Sequence, residues 1–209
     1  MRILVACEES QAVAFAYRKK GYEAYSCDIQ NTSGDHPQWH ILGDAISEAY
    51  SGKYDMMIAF PPCTYLSRCG ARWMFPKGKL NKERYNKALL AKDFFMKLYN
   101  APIKHIAIEN PTPLKIVGLP EYTQSIQPYE FGHKYSKKTL LWLKNLPPLK
   151  PTKIIKNHTP FVRSSTHKGS YQPPTKTQKQ RSKTFTGIAQ AMADQWSSPI
   201  NYTEQLYLW

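Results

Sequence analysis

Five residues of this 209-residue chain stand where covalent or acid–base chemistry is done, each just after an apolar run. The most distinctive is Cys63. In "YDMMIAFPPC" the run from Tyr54 to Phe60 stops at Pro61 and Pro62, and the thiol follows at once. The two prolines fix two φ angles and remove two backbone donors, so they end the run sharply and mount the thiol on a stiff turn. Cysteine is a nucleophile as the thiolate, which a partly exposed, electropositive setting favours. The other four are acids: Glu8 and Glu9 after "RILVAC", Asp28 at the end of "YEAYSCDI", and Glu109 near the end of "IKHIAIEN". Cys7, Cys27 and Cys69 read as ordinary free cysteines, the commoner fate of the residue.

The elements that must position these groups follow from the apolar pattern. "RILVAC" (2–7), "YEAYSCDI" (22–29), "YDMMIAF" (54–60), "IKHIAIEN" (103–110) and "TLLWL" (139–143) read as strands. "SQAVAFAYRKKG" reads as a helix with Ser10 as its cap and Gly21 at its stop. "NKERYNKALLAKDFFMKLYN" (81–100) and "GIAQAMADQW" (187–196) read as two more helices. Strands alternating with helices predict an α/β fold, a mostly parallel twisted sheet with helices on both faces. In such sheets ligands sit beyond the carboxyl ends of the strands. The five residues lie at those ends, which predicts one shared crevice.

The totals agree. The chain is 42% hydrophobic, enough for a core, and carries a formal net charge of +14. A surplus of that size predicts an anionic partner, nucleic acid or nucleotide, and it says nothing about fold. No acid stands between Glu130 and Asp194. Within that tract, residues 148–183 are basic and proline-rich and read as an insertion that contacts phosphates, with Phe161 and Tyr171 interleaved for stacking. The start "MRILVACEES" does not read as a signal peptide, and no apolar stretch is long enough for a membrane span. A cytoplasmic protein with reduced thiols is expected. Five residues separate Cys63 from Cys69, which does not match the spacing of metal ligands, so no metal is expected. The same spacing excludes the Pro-Cys-x-x-Cys of a zinc deaminase.

Several stretches together resemble one family. "FPPCTYLS" resembles the Pro-Cys motif of the DNA cytosine carbon-5 methyltransferases, and "IAIENP" their strand ending in Glu-Asn-Val. Order, spacing and intervening helix agree. "LVACEESQAVAFAYRKKGYEAYSCDI" looks like their first strand, helix and second strand, "LGDAI" like the next loop, and "SKTFTGIAQAMADQW" like their closing motif. "FGHKYSKKTLLWL" is similar to the segment with their basic motif. The match is to the compact type found on phages and prophages. The resemblance implies a Rossmann-like methyltransferase fold formed by residues 1–147 and 184–209, with 148–183 in place of a target-recognition domain. It implies Cys63 as nucleophile, Glu109 as a buried, protonated acid, Asn110 as an orienting amide, and Lys137 near the base. S-adenosylmethionine is the implied cofactor, with Cys7, Glu8, Glu9, Ser10, Asp28, Ile29, Asp44 and Pro61 as its binding residues.

The chain departs from the family pattern in four places. No glycine stands between Met1 and Gly21, where the family has a glycine-rich loop. Glu-Asn-Val has become Glu-Asn-Pro, with Pro111. The double-arginine motif has decayed to "SKKT", where Lys137 or Lys138 would replace one arginine without its two-pronged fork. The large target-recognition domain is missing. Three readings therefore stay open: methylation of cytosine carbon 5 in DNA, the same scaffold acting on RNA or a free pyrimidine nucleotide, and a degenerate methyltransferase fold that only binds nucleic acid.

Overall fold

The structure is a computed structural model that describes residues 1–161, 166–167, 170–171 and 177–197. The side chain of Tyr171, most of 162–176 and everything after Ser197 lie outside the described residues, so part of the expected phosphate-contacting insertion does too.

The chain runs β1 (Arg2–Ala6), α1 (Ala12–Lys19), β2 (Glu23–Asp28), β3 (His40–Leu42), α2 (Ala45–Ala49) and β4 (Met56–Ala59). It continues with α3 (Ala71–Met74), α4 (Lys82–Tyr99), β5 (His105–Asn110), β6 (Gln124–Ile126), β7 (Tyr135–Ser136) and β8 (Thr139–Lys144). It closes with β9 (Thr159–Pro160), β10 (Thr166–His167), β11 (Ser170–Tyr171), α5 (Gln178–Ser182) and α6 (Thr186–Trp196).

Seven strands form one sheet in the order β3-β2-β1-β4-β5-β8-β6. The pairs among β3, β2, β1, β4 and β5 are parallel, while β8 runs antiparallel between β5 and β6. From β1 the chain turns one way to β2 and β3, then crosses back to β4 and β5 on the other side. That reversal makes the tips of β1 and β4 a topological switch point, where doubly wound sheets open a crevice. The fold is therefore the expected α/β, Rossmann-like one.

The strands are buried on both faces, which is why they read as continuous apolar runs. Ile3 and Val5 of β1, with Met56 and Ile58 of β4, face α1 and α6. Leu4 and Ala6, with Met57 and Ala59, face α2 and α4. The closing helix α6 is tied to α1 by the buried Tyr17 hydroxyl, which donates to the Met192 carbonyl at 2.9 Å. In α4, Ala88, Phe95 and Leu98 face the sheet, while Leu90 stays 72% exposed. The first part of 148–183 is joined to the core. Leu149 is buried, its amide bonded to Gln124 Oε1 at 2.8 Å, and Lys150 exchanges two backbone bonds with the Gln195 amide group.

One local expectation is corrected. Ser10 does not cap α1: Gln11 takes the cap position without a side-chain bond, and Glu8 supplies the acceptor oxygens instead.

Candidate active site

The Pro-Pro-Cys turn leaves the tip of β4, held to β1 by the Phe60 amide on the Ala6 carbonyl at 3.0 Å. Pro61 is buried, and its carbonyl accepts from Asn110 Nδ2 at 2.8 Å. Pro62 and Cys63 are exposed. The Cys63 carbonyl accepts the amides of Leu66 (3.1 Å) and Ser67 (2.9 Å), which folds the chain back at once. The turn is then zipped to the loop after β5. Arg68 donates to the Thr112 carbonyl and Leu114 to the Leu66 carbonyl, both at 2.8 Å, and Ser67 bridges Pro113. Two loops about 45 residues apart in sequence thus form one rigid unit on neighbouring strand tips. Asn110 is fully buried inside it, and its Oδ1 has no hydrogen-bond partner among the described residues. An unpaired buried carbonyl is costly and unusual.

Glu109 lies next to this unit. Burial pushes its pKa up, opposed by the Lys137 charge and a hydrogen bond from Thr139. Cys63 is exposed as a residue, yet protein surrounds its thiol closely enough that burial raises its pKa. The Glu109 charge adds to that rise, and Lys137 opposes it. The three groups feel one another: a thiol and a carboxyl both biased toward their protonated forms, under a single ammonium that pulls both down. The Lys137 ammonium is itself positioned, donating to the Arg181 carbonyl at 2.8 Å, while its backbone amide donates to Gln127 Oε1 at 2.9 Å. A narrow cleft lined by Phe60, Glu109, Lys137, Thr139, Phe185 and Ile188 opens beside them.

The closing segment walls this cleft. The Gly187 amide donates to His133 Nε2 at 2.9 Å, so that nitrogen carries no proton, and burial lowers the His133 pKa. A Cβ at Gly187 would run into the Phe131 carbonyl, so only glycine lets α6 start this close to the chain. Phe185 packs against the rings of His133 and Phe161.

The tips of β1 and β2 border the other half of the crevice. The loop 7–11 has no glycine, yet Cys7 (φ 58°) and Gln11 (φ 59°) adopt the left-handed backbone that glycine usually supplies. Glu8 turns beneath α1 and accepts the amides of Val13 (2.8 Å) and Ala14 (3.2 Å). Burial raises its pKa to about 7 against those hydrogen bonds. Glu9 holds the following loop through the Ser33 amide at 3.1 Å, and Gln11 holds it through His36. Ser10 is half-buried between them. Burial also pushes the Cys7 thiol far up, with the Asp28 charge adding to it. Asp28 accepts the Gln30 amide at 2.9 Å, and Ile29 beside it is 82% exposed. Asp44 caps α2, accepting the amides of Ile46 and Ser47 and the Ser47 hydroxyl. Its pKa is lowered: burial works against this, and the hydrogen bonds outweigh it.

The structure thus brings Cys63, Glu109, Asn110, Pro61 and Lys137 into one cluster at the β4–β5 tips. Cys7, Glu8, Glu9, Ser10, Asp28 and Ile29 lie along the same sheet edge, and Asp44 is engaged at its helix. Sequence reading missed Thr139, Phe60 and Phe185. Thr139 opens the run "TLLWL" and was legible only as a strand start. Phe60 was legible only as a strand end and Phe185 only as part of the closing motif, because nothing local tells a cleft wall from a core residue.

No family model matches the sequence, and no curated protein matches it. Among solved structures the chain is similar to a candidate DNA modification methyltransferase encoded within an E. coli prophage. The identity is 11%, the TM-score 0.44, and the match covers 74% of this chain and 52% of that one. The chain therefore spans about half the length of that structure.

Proposed function

We propose that this chain is a methyltransferase that transfers a methyl group from S-adenosylmethionine to carbon 5 of cytosine in DNA, through a covalent adduct at Cys63. One observation carries the reading. A proline-mounted thiol and a half-buried carboxyl on neighbouring strand tips both feel the Lys137 charge, beside a unit locked by the Asn110–Pro61 bond.

Carbon 5 of cytosine is a weak nucleophile until the ring is made an enamine. The Cys63 thiol gives up its proton to solvent, and its sulfur forms a bond to carbon 6. The electron pair of the 5,6 double bond moves through the ring toward N3, where Glu109 delivers its proton. A carboxyl whose pKa is raised by burial suits that donation. Burial and the Glu109 charge raise the Cys63 pKa, and the Lys137 charge opposes that rise in favour of the thiolate. After carbon 5 is methylated, a base removes its remaining proton, the sulfur–carbon bond breaks, and Glu109 takes back the N3 proton.

The residues at the β2 tip fit the cofactor. Asp28 is a carboxylate at the position where such sheets bind ribose hydroxyls, and Ile29 beside it offers a bare apolar surface for a ring. When bound there, S-adenosylmethionine supplies an electrophilic methyl group. Glu8 and Asp44 have their carboxylates engaged by helix amides, so they serve this site by shaping its loops. The Cys7 and Pro61 backbones line the switch point between the β1 and β4 tips, with Glu9 and Ser10 on the same loop.

The test is covalent trapping. An oligonucleotide containing 5-fluorocytosine, incubated with protein and cofactor, should give an adduct whose mass equals protein plus strand plus one transferred methyl group, less the thiol proton. Cys63→Ala should give none. A wild-type protein that forms no adduct, or a Cys63→Ala variant that does, overturns the reading. Nucleoside mass spectrometry after incubation with labelled cofactor then separates DNA from RNA and free nucleotides.

A further inference from the structure

A second groove opens on the far side of the Cys63 turn, between that turn and the start of α4. It is lined by Tyr65, Arg72, Trp73, Asn81, Arg84 and Lys87, among others. The guanidinium carbon of Arg72 lies 3.9 Å from the centre of the Trp73 ring. That of Arg84 lies 5.0 Å from the Tyr65 ring centre and 5.7 Å from that of Trp73. Trp73 is nonetheless 48% exposed. A large aromatic left half bare between two arginines is more than a core side chain at the surface.

The charge of the groove is one-sided. Residues 64–87 hold seven lysines and arginines against one acid, Glu83, and that acid is paired with Lys87 at 2.6 Å. Arg84 is built into place. Its Nη2 donates to the Thr64 carbonyl at 2.8 Å, while its buried Nε has no hydrogen-bond partner among the described residues. A Cβ at Gly70 would lie 2.8 Å from that Nη2, so the guanidinium packs directly over the glycine. Thr64 follows Cys63 directly. The groove is therefore fixed to the thiol by one hydrogen bond and one residue of chain.

We infer that this groove binds an unpaired nucleotide beside the target base, stacking its base on Trp73 and Tyr65 and holding its phosphate with Arg72 and Arg84. Aromatic faces with arginines are how single strands are gripped without sequence readout. The groove lies outside 148–183, where the charge pattern alone had put the phosphate contacts. The inference rests on the proposed function for the word "target", but the binding itself needs no chemistry.

The test uses full-length Cys63→Ala protein and fluorescein-labelled short single strands, one of DNA and one of RNA, read by anisotropy across a salt series. Adding Trp73→Ala should weaken binding by roughly tenfold, in line with the loss of one stacked base. Trp73→Phe keeps a stacking face and should recover most of the affinity, which separates stacking from misfolding. Arg72→Gln should lower the salt slope by about 0.7, the loss of one phosphate contact to a single strand. A fall on either strand supports the groove, and the larger fall identifies the sugar it prefers. Unchanged affinity in Trp73→Ala with an unchanged salt slope in Arg72→Gln overturns it. Binding that depends on Trp73 in a protein whose wild type traps no 5-fluorocytosine would leave the groove standing and remove the Cys63 reading.

Discussion

The loop after β1 and the loop after β4 leave the same edge of one sheet, at the two sides of its switch point, and treat their polar groups in opposite ways. The β1 loop commits its side chains. Glu8 is bonded to α1, Glu9 and Gln11 to the loop at 32–36, and two residues take left-handed backbone. The β4 loop does the reverse. Its backbone is bonded to the loop after β5, and its side chain of interest, Cys63, is left on the exposed side. Similar density of polar residues therefore means scaffold in one loop and presentation in the other. Both loops bond their backbones to distant segments, Glu8 to Cys27 and Glu9 to Ser33 in the first, so the distinguishing feature is where the side-chain bonds go. A loop held by its main chain alone is free to offer a side chain.

Glu8 gives the largest test of this contrast. An unfolded glutamate loses its proton near 4.5, but folded Glu8 keeps it to about 7. Between those values the native state binds more protons than the unfolded one. Stability should therefore be fully present below about 4.5 and fall as pH rises through 7, by on the order of 3 kcal/mol. Glu109 shifts in the same direction. Urea unfolding across pH should show Glu8→Gln flattening this decline but not erasing it. An identical slope in the variant would mean Glu8 is not a buried cap.

Asn110→Ala should cost about 1–2 kcal/mol in the same assay, the range for losing one buried hydrogen bond. Its effect on adduct formation should be larger than its effect on stability, because the Pro61 carbonyl loses the bond that sets the Cys63 turn. An unchanged adduct rate would show that the backbone ladder at 66–68 and 112–114 suffices alone.

The smallest effect belongs to Cys7→Gly. Relief of the left-handed backbone at φ 58° should offset the flexibility glycine adds to the unfolded chain, leaving a change under about 1 kcal/mol in either direction. The thermal midpoint should barely move. A large loss would show that the thiol, not the backbone, is what the β1 loop needs at this position.

Much of the scaffold was legible. β1, β2, β4 and β5 announced themselves as apolar runs because both their faces are covered. α4 was framed by Asn81, which caps it by accepting the Arg84 amide. The strands β3 and β6 were not legible. Each has three residues, and one edge of each has no sheet neighbour among the described residues, so neither carries an apolar run. The cap on α1 was misread because Ser10 is the expected type at the expected place, whereas the acceptor that won comes from a residue already buried two positions earlier. The Trp73 groove was invisible because it depends on Arg84 meeting Thr64, twenty positions apart.

By itself the sequence determined which groups stand after strands, and hence that Cys63, Glu109 and Asp28 share an edge. Parallel strands of alternating β and α leave no other place for them. Only the tertiary structure decided which of those groups remain available. Hydrogen-bond partners are drawn from distant chain segments, and a carboxylate committed to a helix, as Glu8 is, looks identical in sequence to one that faces a crevice.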